Sequence, residues 1–256
     1  MPEMMKDQDM QRTTERALAG QVALVTGASK GIGRASAIQL AKEGARIVAV
    51  ARTRQRLEEL ADEINDVGSE CIIVVGDVAQ EEVAATAVGD ATRTFGRLDI
   101  LLNNAGIGSY TDFLDCDADS YDEIMDTNMR STFLFTRHAV PIMKKQGSGL
   151  ILQISSQAGI KGFTQEAIYC ASKHAQIGFT NALRLELQPF GIKVSAICPA
   201  GVKTDFAIGK GRTPDFVAES GFLEADDVAG AVLLIAKQSP GSRVTQINMI
   251  GLMEAL

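Results

Sequence analysis

The sequence contains few of the residues on which metal and disulfide sites depend. Only two histidines and four cysteines occur among its 256 residues. Zinc sites, redox dithiols and most histidine-based triads need more of these side chains, or a closer spacing such as Cys-x-x-Cys. We therefore expect no metal site, reduced cysteines and a cytoplasmic protein. The four cysteines are Cys71, Cys116, Cys170 and Cys198.

Long apolar runs and excess positive charge are lacking as well. No apolar run reaches the ~18 residues that a membrane-spanning helix requires. The formal net charge of −7 disfavours nucleic acids and anionic membranes as partners, because both attract basic surfaces. Residues 1–18 are polar and of mixed charge, unlike a secretory signal, and we expect them to form a flexible extension.

A glycine-rich turn between a strand and a helix is the first specific signal. Residues 22–25 are an apolar run typical of a buried strand, residues 26–33 read Thr-Gly-Ala-Ser-Lys-Gly-Ile-Gly, and residues 34–43 favour a helix. Glycines let a loop approach a pyrophosphate closely, and the free N–H groups of a helix start attract its charge. The pattern predicts a dinucleotide-binding turn.

The alternation of short apolar strands and longer helices continues along the chain. Such an alternation requires right-handed crossovers and a parallel sheet covered on both faces. We therefore predict an α/β fold, a doubly wound parallel sheet of about seven strands of the Rossmann type, in a single domain over residues 19–256. The predicted strands after the first are residues 46–50, 71–75, 98–102, 150–154, 193–197 and 244–249, and the predicted helices are 54–66, 81–95, 118–145, 168–188 and 225–237.

The end of the second strand indicates which dinucleotide is bound. In this fold a carboxylate there holds the ribose of NAD, whereas an arginine accommodates the 2′-phosphate of NADP. Here Arg52 follows the neutral Ala51, and Lys30 stands in the glycine loop. Two cations without a carboxylate favour NADP(H), although both could be ordinary surface charges. Asp77, after the third strand, could bind the adenine amino group or cap the next helix.

A phenol and an ammonium stand four residues apart in Tyr169-Cys170-Ala171-Ser172-Lys173. On a helix, positions i and i+4 share one face, so Lys173 can lie near Tyr169. A nearby cation favours the ionised phenol and would lower its pKa. An isolated pair of this kind is more often a solvated helix face. Cys170 and His174 do not share the face of Tyr169 on such a helix.

These features together resemble the short-chain dehydrogenase/reductase family, in its shorter single-domain branch, from residue 19 to the C-terminus. The resemblance lies in four motifs in the family's order: the glycine loop, Asn103-Asn104-Ala105-Gly106, Asn128, and Ser156 placed 13 residues before Tyr169-x-x-x-Lys173. One departure is Pro199-Ala200-Gly201, where the family usually has glycine directly after proline.

The resemblance implies reduction of a ketone or aldehyde, or the reverse alcohol oxidation, by hydride transfer. Tyr169 would be the general acid/base and Ser156, or less favourably Ser155, a second hydrogen-bond donor to the substrate oxygen. Lys173 would lower the pKa of Tyr169 and bind the nicotinamide ribose, and Asn128 would hold a water in a proton relay. The expected NADP(H)-binding residues are Gly27, Ser29, Lys30, Gly31, Ile32, Gly33, Arg52, Asp77, Val78, Asn104, Ala105, Gly106, Tyr169, Lys173, Pro199, Gly201, Val202 and Thr204.

Residues 205–222 combine aromatic side chains with glycines, which is typical of a mobile lid over a substrate, or else of a poorly ordered loop. Its Lys210 and Arg212 could bind an anionic carrier. The chain's last strand lacks the turn common in 3-oxoacyl carrier-protein reductases, which remain an alternative within the enzymes. A nucleotide-binding sensor or scaffold without turnover is the alternative from another class.

Small residues recur at helical spacing on one face of the predicted helix 168–188. They could pack on the sheet or against a partner subunit, because small side chains allow close approach of two backbones. The resemblance implies a homotetramer built on this helix and the preceding long one. The small residues are Ala171, Ala175, Gly178 and Ala182.

Overall fold

A computed structural model describes residues 16–254 of the chain. Seven strands in this range form one parallel sheet in the order β3-β2-β1-β4-β5-β6-β7. The chain winds outward in one direction from β1 and in the other from β4, which confirms the predicted doubly wound fold. The strands are β1 (Val22–Thr26), β2 (Arg46–Ala51), β3 (Cys71–Val75), β4 (Ile100–Asn103), β5 (Gly149–Ile154), β6 (Ile192–Pro199) and β7 (Gln246–Met249).

The strand order reverses between β1 and β4, and this reversal positions the site. The loops that follow these two strands leave the carboxyl edge of the sheet toward opposite faces, so that a crevice opens between them. The helices that connect the strands are α1 (Gly31–Lys42), α2 (Arg54–Asp66), α3 (Glu81–Phe95), α4 (Ala118–Met125), α5 (Ser131–Gln146), α6 (Ala167–Leu187), α7 (Pro214–Glu219) and α8 (Ala225–Ala236).

Two apolar layers cover the two faces of the sheet. One layer packs α1, α2 and α8 on one face, and the other packs α3, α5 and α6 on the opposite face. Successive residues of β1 alternate between the layers, since Ala23 and Val25 belong to the first and Val22 and Leu24 to the second. A central strand buried on both sides must be apolar at every position, which explains the uninterrupted runs in the sequence.

The predicted helix 118–145 is not one regular helix. A π-helical turn, Asp126–Arg130, separates α4 from α5, and Asn128 is its buried residue. A π-turn inserts one residue into the helical register and therefore changes the direction of the side chains next to it. The apolar periodicity gave no sign of this insertion. Helix α5 then continues through Pro141 as far as Gln146.

The predicted N-terminal extension overlaps the folded domain at its last residues. Leu18 is buried in the first apolar layer, and the Arg16 guanidinium donates hydrogen bonds to the carbonyls of Val67 and Gly68 at the end of α2. The polar composition of residues 1–18 gave no indication of these contacts. Residues 1–15 lie outside the described range. Within residues 16–254, no helix is long and apolar enough to cross a membrane.

Candidate active site

A cavity of about 600 Å³ opens at the carboxyl edge of the sheet. The loops after β1, β2, β3, β4, β5 and β6 contribute to its walls, as expected for the crevice at a strand-order reversal. Gly33 and Asn128 are the two predicted site residues that do not line it. The predicted residues that do are Gly27, Ser29, Lys30, Gly31, Ile32, Arg52, Asp77, Val78, Asn104, Ala105, Gly106, Ser156, Tyr169, Lys173, Pro199, Gly201, Val202 and Thr204.

The glycine loop lines the cavity and leaves room for a ligand to lie close to its main chain. Gly27 and Gly31 have φ angles of 64° and 55°, in the left-handed region that favours glycine. A Cβ at Gly33 would lie 2.4 Å from the Gly27 carbonyl oxygen, so Gly33 serves the packing of α1 on the loop. No side chain caps the start of α1, and its first turn has no acidic residue. These features fit a bound pyrophosphate.

Three cations line the cavity beyond β2: Lys30, Arg52 and Arg56. Asp205 approaches them from the loop after β6, with its Oδ2 atom 3.4 Å from Lys30 Nζ and 4.0 Å from Arg56 Nη1. These side chains are about half exposed, so the ion pairs contribute little stability, and a phosphate could compete for the cations. Neither Arg56 nor Asp205 was among the predicted cofactor-binding residues.

Asp77 shapes the loop after β3. Its Oδ1 atom accepts a hydrogen bond from the main-chain N–H of Ala79, 2.9 Å away. The first helical residue of α3 is Glu81 and its N-cap is Gln80, so Asp77 forms a local turn and does not cap the helix. Asp77 and Val78 both line the cavity, and the predicted contact of Asp77 with adenine remains a prediction.

Tyr169 lies on the first turn of α6 with only 9% of its surface exposed, packed against Phe206 with ring centroids 5.6 Å apart. Burial raises the pKa of the Tyr169 phenol, while its hydrogen bond with Ser156 and the positive charge of Arg212 oppose this effect. The net shift is therefore upward, opposite to the predicted lowering, because burial outweighs the groups that oppose it. At neutral pH the phenol keeps its proton.

The two neighbouring serines after β5 have different partners. The Ser155 hydroxyl donates to the main-chain oxygen of Lys173 at 3.1 Å and so joins β5 to α6. The Ser156 hydroxyl accepts from the Ala158 N–H at 3.0 Å and interacts with Tyr169. This arrangement favours Ser156 over Ser155 as the group that meets a substrate oxygen.

Lys173 is 3% exposed. Its Nζ atom lies 5.6 Å from the centroid of the Tyr169 ring and donates to the Ile154 carbonyl at 2.9 Å and to Gln176 Oε1 at 3.1 Å. Burial lowers the pKa of Lys173 to about 8 because the charged form loses its water. A Cβ at Gly106 would lie 3.4 Å from Nζ, so glycine there leaves room for the ammonium.

Asn128 lies behind the cavity and fixes the loop after β4. Its Oδ1 and Nδ2 atoms bond to the N–H and the carbonyl of Ile107, at 2.8 and 2.9 Å, and Nδ2 also donates to Ser172. The Asn128 main-chain oxygen accepts from Gln176 Nε2 at 2.9 Å. The fully buried amide of Gln176 thus connects Lys173 to Asn128, and the water that the resemblance implies at Asn128 stays a prediction.

The loop after β6 forms the wall that faces the substrate side. Pro199, Gly201, Val202 and Thr204 all line the cavity. A Cβ at Gly201 would lie 2.2 Å from the Phe222 ring, and the Gly201 N–H donates to Glu254 Oε1 at 2.9 Å. A side chain at position 201 would clash with Phe222 of the lid, so this position requires glycine. The sequence motif alone does not show this requirement.

The predicted lid, residues 205–222, is folded over the cavity. Phe206 contacts Tyr169, and Arg212 Nη2 donates to the Tyr110 hydroxyl at 2.5 Å. Glu166 lines the same region, and burial raises the pKa of its carboxyl. His174 is exposed and bonds to the Cys170 carbonyl, away from the site.

Several residues of the site were not predicted from the sequence, and only some of them are distant from the motifs along the chain. Arg56 could have been predicted, since it lies four residues after Arg52, on the first turn of α2. Gln176 lies one helical turn after Lys173 and could have been predicted in the same way. Nothing in the sequence indicates that Gln176 also bonds to Asn128. Tyr110 and Glu254 reach the cavity only through the folding of the chain.

Comparison with known proteins identifies the family. The model of the short chain dehydrogenase family matches residues 21–214. The chain therefore belongs to this family of oxidoreductases, which bind a nicotinamide dinucleotide.

Individual relatives differ in substrate and cofactor. A 3-oxoacyl-[acyl-carrier-protein] reductase of Synechocystis sp. is 34% identical over 232 residues, 90% of this chain and 94% of the relative. A metagenomic short-chain oxidoreductase in complex with NADP has a TM-score of 0.81 at 30% identity, covering 93% of this chain and 100% of that chain. Carveol dehydrogenase of Mycobacterium avium in complex with NAD has a TM-score of 0.85 at 27% identity, with coverages of 92% and 98%.

Proposed function

We propose that the chain is an NADPH-dependent oxidoreductase that reduces a ketone or aldehyde carbonyl, with Tyr169 as general acid. The observation that supports this most strongly is the convergence of Ser156, Tyr169 and Lys173 on the cavity that also contains the glycine loop. A sensor or scaffold that only binds a nucleotide needs the loop, but it has no need of a buried phenol beside a buried ammonium.

The residues have complementary tasks in the reducing direction. The dinucleotide, when bound, supplies a hydride to the carbonyl carbon. Tyr169 delivers a proton to the carbonyl oxygen, and Ser156 donates a hydrogen bond that strengthens as negative charge develops there. Lys173 holds the nicotinamide ribose, and Asn128 fixes the wall behind it. The Tyr169 phenol carries its proton at neutral pH, as a general acid in the reducing direction requires.

The choice of NADPH is supported by the cation cluster of Lys30, Arg52 and Arg56 beyond β2. A guanidinium can bind a phosphate through two parallel hydrogen bonds. The solved relatives bind NADP in one case and NAD in another, so the residues of this chain are the basis of the choice.

A 3-oxoacyl carrier-protein reductase is the second candidate, favoured by the Synechocystis relative. The cytoplasmic location, the single domain and the homotetramer remain predictions.

The test is a panel of ketones and aldehydes, including 3-oxoacyl thioesters, assayed with NADPH and with NADH. We expect reduction of at least one class with NADPH preferred, and Tyr169→Phe should lower kcat by at least about 10²-fold, since a positioned acid contributes on this scale. NADPH affinity should change little, because the ring remains. Binding of NADPH without turnover of any compound would favour the sensor, and full activity of Tyr169→Phe would refute the acid.

A further inference from the structure

The substrate side of the cavity contains a guanidinium surrounded by aromatic rings. The Arg212 Cζ atom lies 4.9, 5.2 and 5.6 Å from the ring centroids of Phe222, Tyr110 and Phe206. Arg212 also lines the cavity and is half-buried. Such rings hold a cation in place without neutralising its charge.

The main chain fixes the position of this cation as well. The Arg212 N–H donates to the Ala207 carbonyl at 3.1 Å, closing a turn, and the Tyr110 N–H donates to the Lys210 carbonyl at 3.0 Å, joining the lid to the loop after β4. A Cβ at Gly211 would lie 2.3 Å from the Tyr110 Cβ, which shows how closely the two loops pack. The Arg212 guanidinium is therefore preorganised.

The charge of Arg212 has no ion-pair partner in the part of the chain that the structure describes. The other basic residue of the lid, Lys210, is paired with Glu123 at 3.0 Å. Glu166 lies in the same cavity and interacts with Arg212 through space, but farther than the 4.0 Å of an ion pair. The Tyr110 hydroxyl occupies one of the five N–H donors of the guanidinium, which leaves donors for a ligand.

Arg212 also lies close to the reacting position. Phe206 contacts both the Tyr169 ring and the Arg212 guanidinium, so a single ring separates the proposed acid from the cation. An anionic group bound by Arg212 would therefore be only a few atoms from a carbonyl that accepts the Tyr169 proton. A carrier phosphate at the end of a long arm would not reach this position together with its carbonyl.

We propose that the substrate is an oxo acid whose carboxylate is bound by Arg212, which makes Arg212 the residue that selects the substrate class. This inference rests on the proposed function. The carbonyl of the oxo acid gains a hydride at carbon and the Tyr169 proton at oxygen, giving the hydroxy acid, and the carboxylate is unchanged. A planar carboxylate matches the two parallel N–H donors of a guanidinium.

The test compares carbonyl compounds that differ only in charge. Linear oxo acids of increasing length and their methyl esters are assayed with NADPH, and the ratio of kcat/KM for acid to that for ester is measured. The wild-type protein should prefer the acid. Arg212→Gln should lower the ratio of kcat/KM for acid to that for ester about 10- to 100-fold, since one charge-assisted contact to the carboxylate is lost, whereas an effect of the Arg212 charge on Tyr169 would lower both values alike.

Three further variants act as controls. Lys210→Gln removes a lid charge that is already paired, and it should leave the ratio unchanged. Arg212→Lys should give an intermediate ratio, because an ammonium cannot form the two parallel bonds. Glu166→Gln removes a neighbouring negative charge and should raise the preference for the acid. If Arg212→Gln does not fold, Arg212→Lys and Glu166→Gln decide the question. An equal ratio in wild type and Arg212 variants would overturn the inference.

A binding measurement separates this inference from the proposed function. The thermal stability of the NADPH-bound protein is measured with 3-hydroxybutyrate and with its methyl ester, neither of which NADPH can reduce. Greater stabilisation of wild type by the acid, lost in Arg212→Gln, supports the anion site even if no carbonyl compound is turned over. Equal shifts with acid and ester would overturn the anion site while the reductase activity could still stand.

Discussion

At the scale of single residues, Lys173 places an amine in a buried position where its charge is costly to keep. It is 3% exposed, and burial lowers its pKa to about 8. Two acceptors stabilise its ammonium, the Ile154 carbonyl and Gln176 Oε1. The Gln176 bridge to Asn128 fixes the position of Lys173, and the proton relay through a water held by Asn128 stays a prediction.

Replacing Gln176 should therefore move the pKa of Lys173. Gln176→Leu removes an acceptor of the charged form and should lower this pKa by about one pH unit, whereas Gln176→Glu should raise it, because a hydrogen bond to a charge is worth about 1.5–3 kcal/mol. If the charged lysine is the active form, activity is lost as the pH rises through this pKa, so the loss should begin at lower pH in Gln176→Leu. The measurement is the pH profile of kcat/KM.

Thr180→Val is a matched control for the Gln176 variants. Thr180→Val, one helical turn beyond Gln176, removes a buried hydroxyl whose bond is to the Gln176 carbonyl, and it should leave the midpoint unchanged. A purely structural role of Gln176 would lower activity at every pH without shifting the midpoint. The same midpoint in wild type, Gln176→Leu and Gln176→Glu would contradict the positioning role.

At the scale of elements, the junction of β2 and α2 determines the proposed cofactor preference. Arg52 follows β2 and Arg56 lies on the first turn of α2, and both residues line the cavity. Asp205, from the loop after β6, contacts Arg56 and Lys30. The strand and the helix supply the positive charge, and a distant loop supplies a carboxylate that opposes it.

Changes at this junction should alter NADPH and NADH binding in opposite directions. Arg52→Asp should reverse the preference toward NADH, and Arg56→Gln should weaken NADPH binding about tenfold with little effect on NADH, since a charged contact to the phosphate is lost. Asp205→Asn should strengthen NADPH binding by removing a competitor for the cations. Kd values for both dinucleotides are measured by fluorescence titration.

Arg54 provides a matched control on the same helix. Its guanidinium lies 3.5 Å from Glu58 on the exposed surface and does not line the cavity. Arg54→Gln should therefore leave both Kd values unchanged. An NADPH/NADH ratio that stays the same in Arg52→Asp would refute the assignment of the 2′-phosphate to this junction.

At the scale of the whole molecule, apolar surface remains exposed on the single chain. Ala171, Gly178 and Ala182 of α6 are exposed, so their packing on the sheet, one of the two alternatives, is excluded. Leu185 on the same helix is 66% exposed. A second group lies on α8 and after β7: Leu234, Leu252 and Met253. We expect these exposed apolar side chains to lie in contacts with other chains.

We expect a homotetramer, because two separate apolar faces on one chain allow two different two-fold contacts. Light scattering at micromolar concentration should give four times 27.3 kDa. Ala182→Glu should reduce the mass by burying a charge between close helices, whereas Gln55→Glu, which adds the same charge to exposed α2, should not. A monomeric wild-type protein would contradict this prediction.

Much of the fold followed from the sequence, because strands and helices depend on local patterns. The bounds of α2, β3 and α3 agree with the predicted residues 54–66, 71–75 and 81–95. The π-turn at Asn128 was missed, since one inserted residue barely disturbs the apolar periodicity. The burial of Leu18 was missed too, because its partners come from later elements.

The sequence by itself determined the alternation of strands and helices, the glycine loop, and the order of Ser156, Tyr169 and Lys173, all of which depend on short-range spacing. Only the tertiary structure decided that Gln176 connects Lys173 to Asn128, 48 residues away, and that Arg212 contacts Tyr110, 102 residues away. Burial, which sets the pKa of Tyr169 and Lys173, is likewise a property of the packed chain. The function of a charged or amide side chain depends on neighbouring groups that only folding brings together.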